Sequence, residues 1–361
     1  MTFDSLMELL GEERFTALGG LVIGAVFGAL AQRSRFCLRA STLEVAHGRL
    51  GGRLAVWLLA FSTALIATQG LILLGWFDTG NVRQLNNPGS LSGAIVGGLM
   101  FGCGMTLTRA CASRMLVLSA NGNLRALLSG LVFAVAAQAS TRGLLAPART
   151  AVNDLWTIES AQRDLLALAG VGHGGALLFA LGWLAAGAVL VRRNRVSVGA
   201  TLGAMGVGLT VAAAWWFTWR AAGSAFEPVT VHSLSFTAPS ADFLMLVLSP
   251  PGSRWGFDTG LIPGVFLGSF VAGLLAGDLK LEGFKDGSSM TRYITGGCLM
   301  GFGSVLAGGC AVGAGVSGAS IFVLTAWLVL WSMWIGAVLT DFLVDRPSQG
   351  GPVMTLQEAS R

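Results

Sequence analysis

Along the chain, long stretches without any charged residue alternate with short stretches that hold most of the charge. Phe15–Gln32, Leu54–Phe77, Leu165–Val191, Val196–Trp219 and Thr259–Gly277 contain no Asp, Glu, Lys or Arg, and Tyr293–Thr340 is an uncharged run long enough for two spans. A bilayer core of about 30 Å is crossed by roughly 20 apolar residues in a helix. One such run also suits a buried helix of a soluble protein, but a succession of them does not. The pattern predicts nine crossings near residues 15–32, 54–77, 91–108, 126–141, 165–191, 197–219, 259–277, 293–309 and 319–340. The fold class is therefore an all-α polytopic membrane protein with about nine hydrophobic helices. Composition agrees, with 53% hydrophobic and 11% charged residues among 361, and a mean hydropathy of +0.70.

The charges between these runs carry topology. If each segment crosses once, sixteen of the 23 Lys and Arg fall on one side and seven on the other. The excess of basic residues marks the cytoplasmic face, so the N-terminus is expected outside, the C-terminus in the cytoplasm, and the loop from Arg220 to Asp258 outside. A net charge of +5 is explained by this asymmetry, and no nucleic-acid partner is implied. The start "MTFDSLMELLGEERF" is acidic and lacks a signal peptide's basic head and cleavage site, so it is expected to be retained. The bilayer is the first partner.

No linker divides the chain, which reads as one integral membrane domain over 1–361. Within it lies a duplication. "GLMFGCGMTLTRACA" from Gly98, moved by 199 positions, falls on "GCLMGFGSVLAGGCA" from Gly297, matching Gly98, Gly102, Gly104, Leu107, Cys111 and Ala112 with Gly297, Gly301, Gly303, Leu306, Cys310 and Ala311. In the one-crossing scheme the first copy runs inward and the second outward. This implies an inverted repeat with halves at 15–141 and 259–343, the arrangement in which Gly-interrupted segments from both halves meet near the midplane of a transporter. Five Gly in 90–108 and six in 293–309 suggest that neither segment is a robust long helix, and that "AGGC" and "GAGVSG" are unwound backbone lining a cavity.

Backbone N–H groups freed at such breaks favour anions. Arg35, Arg109 and Arg114, close to Cys37 and Cys111, add positive potential, while the apolar spans carry almost no carboxylates. Five cysteines, Cys37, Cys103, Cys111, Cys298 and Cys310, are an odd number without a CxxC pair, which argues against a disulfide framework. A thiol in a water-poor setting stays neutral and is a weak, soft donor. It suits a large polarizable sulfur better than a hard oxyanion such as phosphate. Several weak sites in series are also what conduction requires. The candidate translocation residues are Cys37, Cys111, Cys310 and Arg114, with the backbone of Gly104, Gly303, Gly308 and Gly309. No catalytic residue, metal site or cofactor is assigned: His47, His173 and His232 lack ligand spacing, and no P-loop, HExxH or GxSxG occurs.

"RSRFCLRA" around Cys37, "GMTLTRACASR" at 104–114 with "GNLR" at 122–125, and "GFGSVLAGGCAVGAGVSG" at 301–318 together resemble the YeeE/YedE family of bacterial inner-membrane proteins. The resemblance spans about 18–340. It implies an hourglass-like helical protein that imports thiosulfate, with three cysteines carrying the anion, which by motif are Cys37, Cys111 and Cys310. It implies that Cys103 and Cys298 are structural, and it suggests a cytoplasmic TusA-like sulfurtransferase as a partner that consumes the substrate. Where the second motif has Gly308 the first has Arg109, so the two halves of the path need not be equivalent. The expectation is thus a transporter, not an enzyme. Alternatives are a membrane sulfur or thiol redox enzyme, a selenium-related permease of the same family, and a soft-metal permease using Cys and Met.

Overall fold

The computed structural model describes residues 3–226, 229–250, 255–283 and 287–345. Of the topology-bearing cations, Arg254, Lys285, Arg346 and Arg361 lie outside the described residues. Eleven helices carry the architecture: α1 Glu12–Ser34, α2 Leu38–Ala46, α3 Gly52–Leu73, α4 Leu91–Leu107, α5 Ala112–Ala120, α6 Leu124–Arg142, α7 His173–Arg193, α8 Val198–Ser224, α9 Phe257–Ala276, α10 Gly287–Leu306 and α11 Leu324–Thr340. A π-helical stretch, Gly313–Gly318, lies between the last two. Among the described residues, eight segments have the length and apolar composition to cross a bilayer. α10 is a further 20-residue helix packed against α4 and α6. The chain is a multi-pass, all-helical membrane protein; the strand content described is one two-residue pair, Gly89–Ser90 with Thr157–Ile158.

Each of the nine expected segments overlaps one of the long helices, with one boundary corrected. The uncharged run 165–191 is interrupted: a short helix at Leu165–Ala169 closes on Gly170 at φ 63°, and α7 begins at His173. Of the expected breaks, "AGGC" at 307–310 does leave the helix, while the rest is corrected. α4 and α10 are continuous helices, and the stretch "GAGVSG" is π-helical. Glycine disfavours an isolated helix, but in a membrane it lets two backbones touch.

The seam between α1 and α9 shows the effect. A Cβ at Gly20, Gly24 or Gly28 would run into the backbone of Phe257, Leu261 or Val265, and one at Gly260, Gly264 or Gly268 into that of Ala17, Leu21 or Ala25. The order of these contacts makes α1 and α9 parallel. The same reasoning makes α4 parallel to α11, through Gly98 at Val329 and Gly102 at Met333, and α10 parallel to α6, through Gly297 at Ser129 and Gly301 at Phe133. α4 and α10 are antiparallel, with Gly93 at Leu306 and Gly104 at Gly296. The two glycine-rich copies therefore run in opposite directions, and each lies parallel to the last helix of the other copy.

The starts of α6 and α11 are held alike. The Leu124 N–H donates to Glu282 O at 2.9 Å, and the Leu324 N–H to Arg163 O at 2.8 Å. From Cys111 to Leu124 is thirteen steps, and from Cys310 to Leu324 fourteen. The extra residue is absorbed in the π-helix, where the Ser317 N–H reaches back five residues to Val312 O at 2.8 Å.

Candidate functional site

Three turns in the core share one backbone device. α1 ends on Arg35 at φ 53°, α4 just before Arg109 at φ 58°, and α10 just before Gly308 at φ 76°. Each left-handed residue reverses the chain and satisfies carbonyls left open by the helix end: Phe36 N–H donates to Ala31 O, Arg109 N–H to Thr106 O, and Gly309 N–H to Ser304 O at 2.8 Å. Two residues after each left-handed position stands a cysteine: Cys37, Cys111 and Cys310. Cys37 and Cys111 cap the N-termini of α2 and α5, and Cys310 precedes the π-helix.

At the Cys310 turn the sulfur faces backbone N–H groups. Cys310 Sγ accepts from Gly313 N–H at 3.4 Å and from Phe236 N–H at 3.3 Å. Cys37 and Cys111 stand at N-cap positions without a side-chain cap hydrogen bond, and Ser113 Oγ lies 3.5 Å from Cys111 Sγ. The Cys37 and Cys111 side chains, 74 residues apart in sequence, stand next to each other. All described cysteines are free thiols, with Cys111 and Cys310 buried and Cys37 half-buried.

Contact order fixes which side of the molecule each turn occupies. Cys310 follows the end of α10, beside the start of α4; Cys37 and Cys111 follow the ends of α1 and α4. Cys310 thus lies toward one face, and the Cys37–Cys111 pair toward the other. Arg114 sits with the pair, donating to Gln32 Oε1 at 3.4 Å, and Gln32 in turn donates to Asp278 at 3.1 Å.

The glycines divide by role. Gly308 takes the left-handed conformation, and Gly309 has room for no side chain, because a Cβ there would lie 2.8 Å from Ala314 N. Gly104 and Gly303 lie in the α4–α10 contact, against Met300 and Phe101; packing accounts for both. Cys103 Sγ lies 3.6 Å from Gly336 O between α4 and α11, and Cys298 is exposed on α10.

Two features at the site were not anticipated. The segment 229–237, expected in an outer loop, lies in the core as a strap over Cys310. Leu234 and Phe236 are fully buried, Phe236 packs on Phe27 with ring centroids 5.2 Å apart, and Ser317 Oγ donates to Leu234 O at 2.7 Å. A charged cluster also abuts the other two turns. Arg292 donates to Leu107 O at 3.2 Å and pairs with Asp345 at 2.7 Å; Arg39 donates to Arg109 O at 3.5 Å. Arg39 was visible in "RSRFCLRA" only as one of the loop cations beside Cys37; the strap's apolar "HSLSF" gave no comparable sign.

The sulphur-transport family profile matches residues 33–339, which include all three turns. The chain belongs to the sulphur-transport family. That membership establishes the YeeE/YedE resemblance seen in the motifs. The chain is similar to the thiosulfate transporter TsuA of Spirochaeta thermophila, 28% identical over 325 residues, covering 86% of this chain and 93% of that protein. It is similar to the thiosulfate transporter TsuA of Escherichia coli K12, 25% identical over 348 residues, covering 89% and 90%. These relatives are named as transporters, and the family is one of transport proteins.

Proposed function

We propose that this sulphur-transport family member imports thiosulfate, or a closely related sulfur oxyanion, across the bacterial inner membrane. The anion passes from Cys310 on the outer side to the Cys37–Cys111 pair on the inner side by exchanging weak S–H contacts. The observation that carries the reading is the threefold turn: each time a left-handed residue, then a cysteine two positions on, at the start of the helical segment that follows. A soft thiol beside a positive helix end can hold a polarizable sulfur without trapping it. The names of the relatives support thiosulfate as the cargo. The basic-residue asymmetry supports an outer N-terminus and a cytoplasmic C-terminus, and the antiparallel α4 and α10 support the halves 15–141 and 259–343. On this reading Arg114 adds attraction for the anion, and a TusA-like sulfurtransferase would draw it inward by consuming it.

Uptake of sulfur-labelled thiosulfate and sulfate by cells lacking their own importers tests this. Wild type takes up thiosulfate in preference to sulfate. Cys111→Ser and Cys310→Ser, which replace a soft donor with a strongly hydrating hydroxyl, lose at least about tenfold in uptake, a change of roughly 1.4 kcal/mol, while expressing normally. Cys103→Ser retains uptake. Equal uptake by all four proteins would remove the relay.

The contact between two free thiols favours one second reading, a membrane dithiol redox centre. That reading requires Cys37 and Cys111 to cycle through a disulfide, so trapped thiols should disappear and return with substrate. Thiols that stay reduced throughout turnover exclude it.

A further inference from the structure

Arg39 stands in the first turn of α2, two positions after Cys37. It is a charge inside a membrane-crossing segment, and only 19% of its side chain is exposed. A guanidinium carries five N–H donors in a rigid fork, and burying them unfilled is costly. Yet its Nε is buried without a hydrogen bond. One terminal nitrogen makes a long 3.5 Å bond to Arg109 O, and the other stands 4.0 Å from Asp345, beyond hydrogen-bond length. Asp345 is engaged elsewhere, by Arg292 at 2.7 Å. Arg292 shows what a satisfied neighbour looks like: it bonds Thr106 O at 3.3 Å, Leu107 O at 3.2 Å and Asp345.

We infer that Arg39 is an anion-binding residue that takes the oxygen end of the substrate at the inner turns while Cys37 and Cys111 hold its sulfur end. This rests on the reading of the chain as an importer of a sulfur oxyanion. The chemistry is complementary. Thiosulfate has one soft terminal sulfur and a compact set of oxygens; the pair of thiols suits the first, and a planar fork of donors suits the second in a bidentate contact. The two kinds of donor lie on one turn, and Arg109 and Arg292 raise the positive potential around it. Asp345 is then a resident counter-charge. It neutralises the cluster when no anion is bound, and its 4.0 Å separation from Arg39 lets an incoming anion displace it without breaking a strong pair. The same competition assists release toward the cytoplasm, because Asp345 can recapture Arg39 as the anion leaves.

The test is equilibrium binding of labelled thiosulfate to the purified full-length protein, paired with uptake into proteoliposomes. Arg39→Gln raises the thiosulfate Kd at least tenfold, and Arg39→Lys, which keeps the charge but loses the fork, gives an intermediate value. Asp345→Asn removes the competitor and lowers the Kd by about threefold. A purely structural ion pair predicts the same sign for Arg39→Gln and Asp345→Asn, so weakening by both overturns the inference. An unchanged Kd in Arg39→Gln overturns it as well. Failure of the importer reading is separate: it appears as wild type that neither binds nor takes up thiosulfate, whatever residue 39 is.

Discussion

Two of the three turns place an arginine where glycine would be unstrained. Arg35 and Arg109 hold φ of 53° and 58°, while the equivalent position of the second repeat is Gly308 at 76°. A left-handed conformation costs a residue with a Cβ about 1–2 kcal/mol, and here it brings a cation within two residues of a site cysteine. The exposed Arg109 side chain is not needed to form the turn, since its backbone carbonyl accepts from Arg39 and its N–H donates to Thr106 O. Arg109→Gly is therefore expected to be more stable than Arg109→Ala by about 1 kcal/mol. Both variants should raise the thiosulfate KM, more so at low ionic strength, where screening is weakest. Thermal unfolding of the two variants side by side checks the first statement; equal stabilities would mean that the turn is not left-handed. The motif "LTRAC" against "LAGGC" already exposed this inequality between the halves. It did not expose the conformation, because an arginine is an unusual carrier of positive φ and only the packed turn shows it.

At the scale of elements, one inserted residue separates the two inverted copies, and its consequences reach the strap. α5 runs as an ordinary helix from Ala112 to Ala120, whereas the matching stretch after Cys310 widens into the π-helix 313–318. The widening orients Ser317 toward Leu234 O and leaves Gly313 close enough to Ser235 that a Cβ would lie 2.5 Å from its Oγ. Deleting Gly315 should convert this stretch to the register of α5. Helix content by circular dichroism should be kept, while the Ser317–Leu234 bond is lost and Cys310 becomes more reactive to maleimide by severalfold. Unchanged Cys310 labelling in a folded deletion variant would show that the π-helix does not hold the strap. The helices themselves were legible from charge-free runs, and the inverted relation from the 199-residue displacement. Their continuity was not: summed propensity over five or six glycines argues for a break, and only the touching backbones of α4, α10 and α11 tip the balance back to helix. The boundary at Gly170–Gly172 was hidden for the opposite reason, since the interrupting residues are as uncharged as the helices they separate.

Across the whole molecule, the two turn regions are closed by different chemistry, and the strap over Cys310 is fastened through a histidine–carboxylate pair. The strap 229–237 includes His232, whose backbone is fastened to Thr218 Oγ1. Both ring nitrogens face acceptors: Nδ1 lies 2.9 Å from Thr230 O and Nε2 lies 2.9 Å from Asp258. An imidazolium satisfies both at once. Burial alone would lower the His232 pKa, but the Asp258 carboxylate, helped by the Thr230 carbonyl, outweighs burial and the opposing Arg83, so the group is raised above its ordinary 6.5. Asp242 and Arg142 complete the charges around it. A group whose folded-state pKa is raised contributes stability that is fully present below its unfolded value, about 6.5, and is lost as pH rises through the higher folded value. The strap over Cys310 should therefore be latched on the acidic side and loosen toward alkaline pH. The sequence offered His232 only as an isolated histidine, because its partner Asp258 lies 26 positions on and nothing in the spacing joins them. The expected outcome is a gap in unfolding temperature between wild type and His232→Gln that is widest near pH 5.5 and shrinks toward pH 9. Asp258→Asn should show the same narrowing, since either change removes the charged pair. If the gap between wild type and His232→Gln is as large at pH 9 as at pH 5.5, the imidazole holds the strap by shape and neutral hydrogen bonding, and proton binding has no part in closing the strap over Cys310.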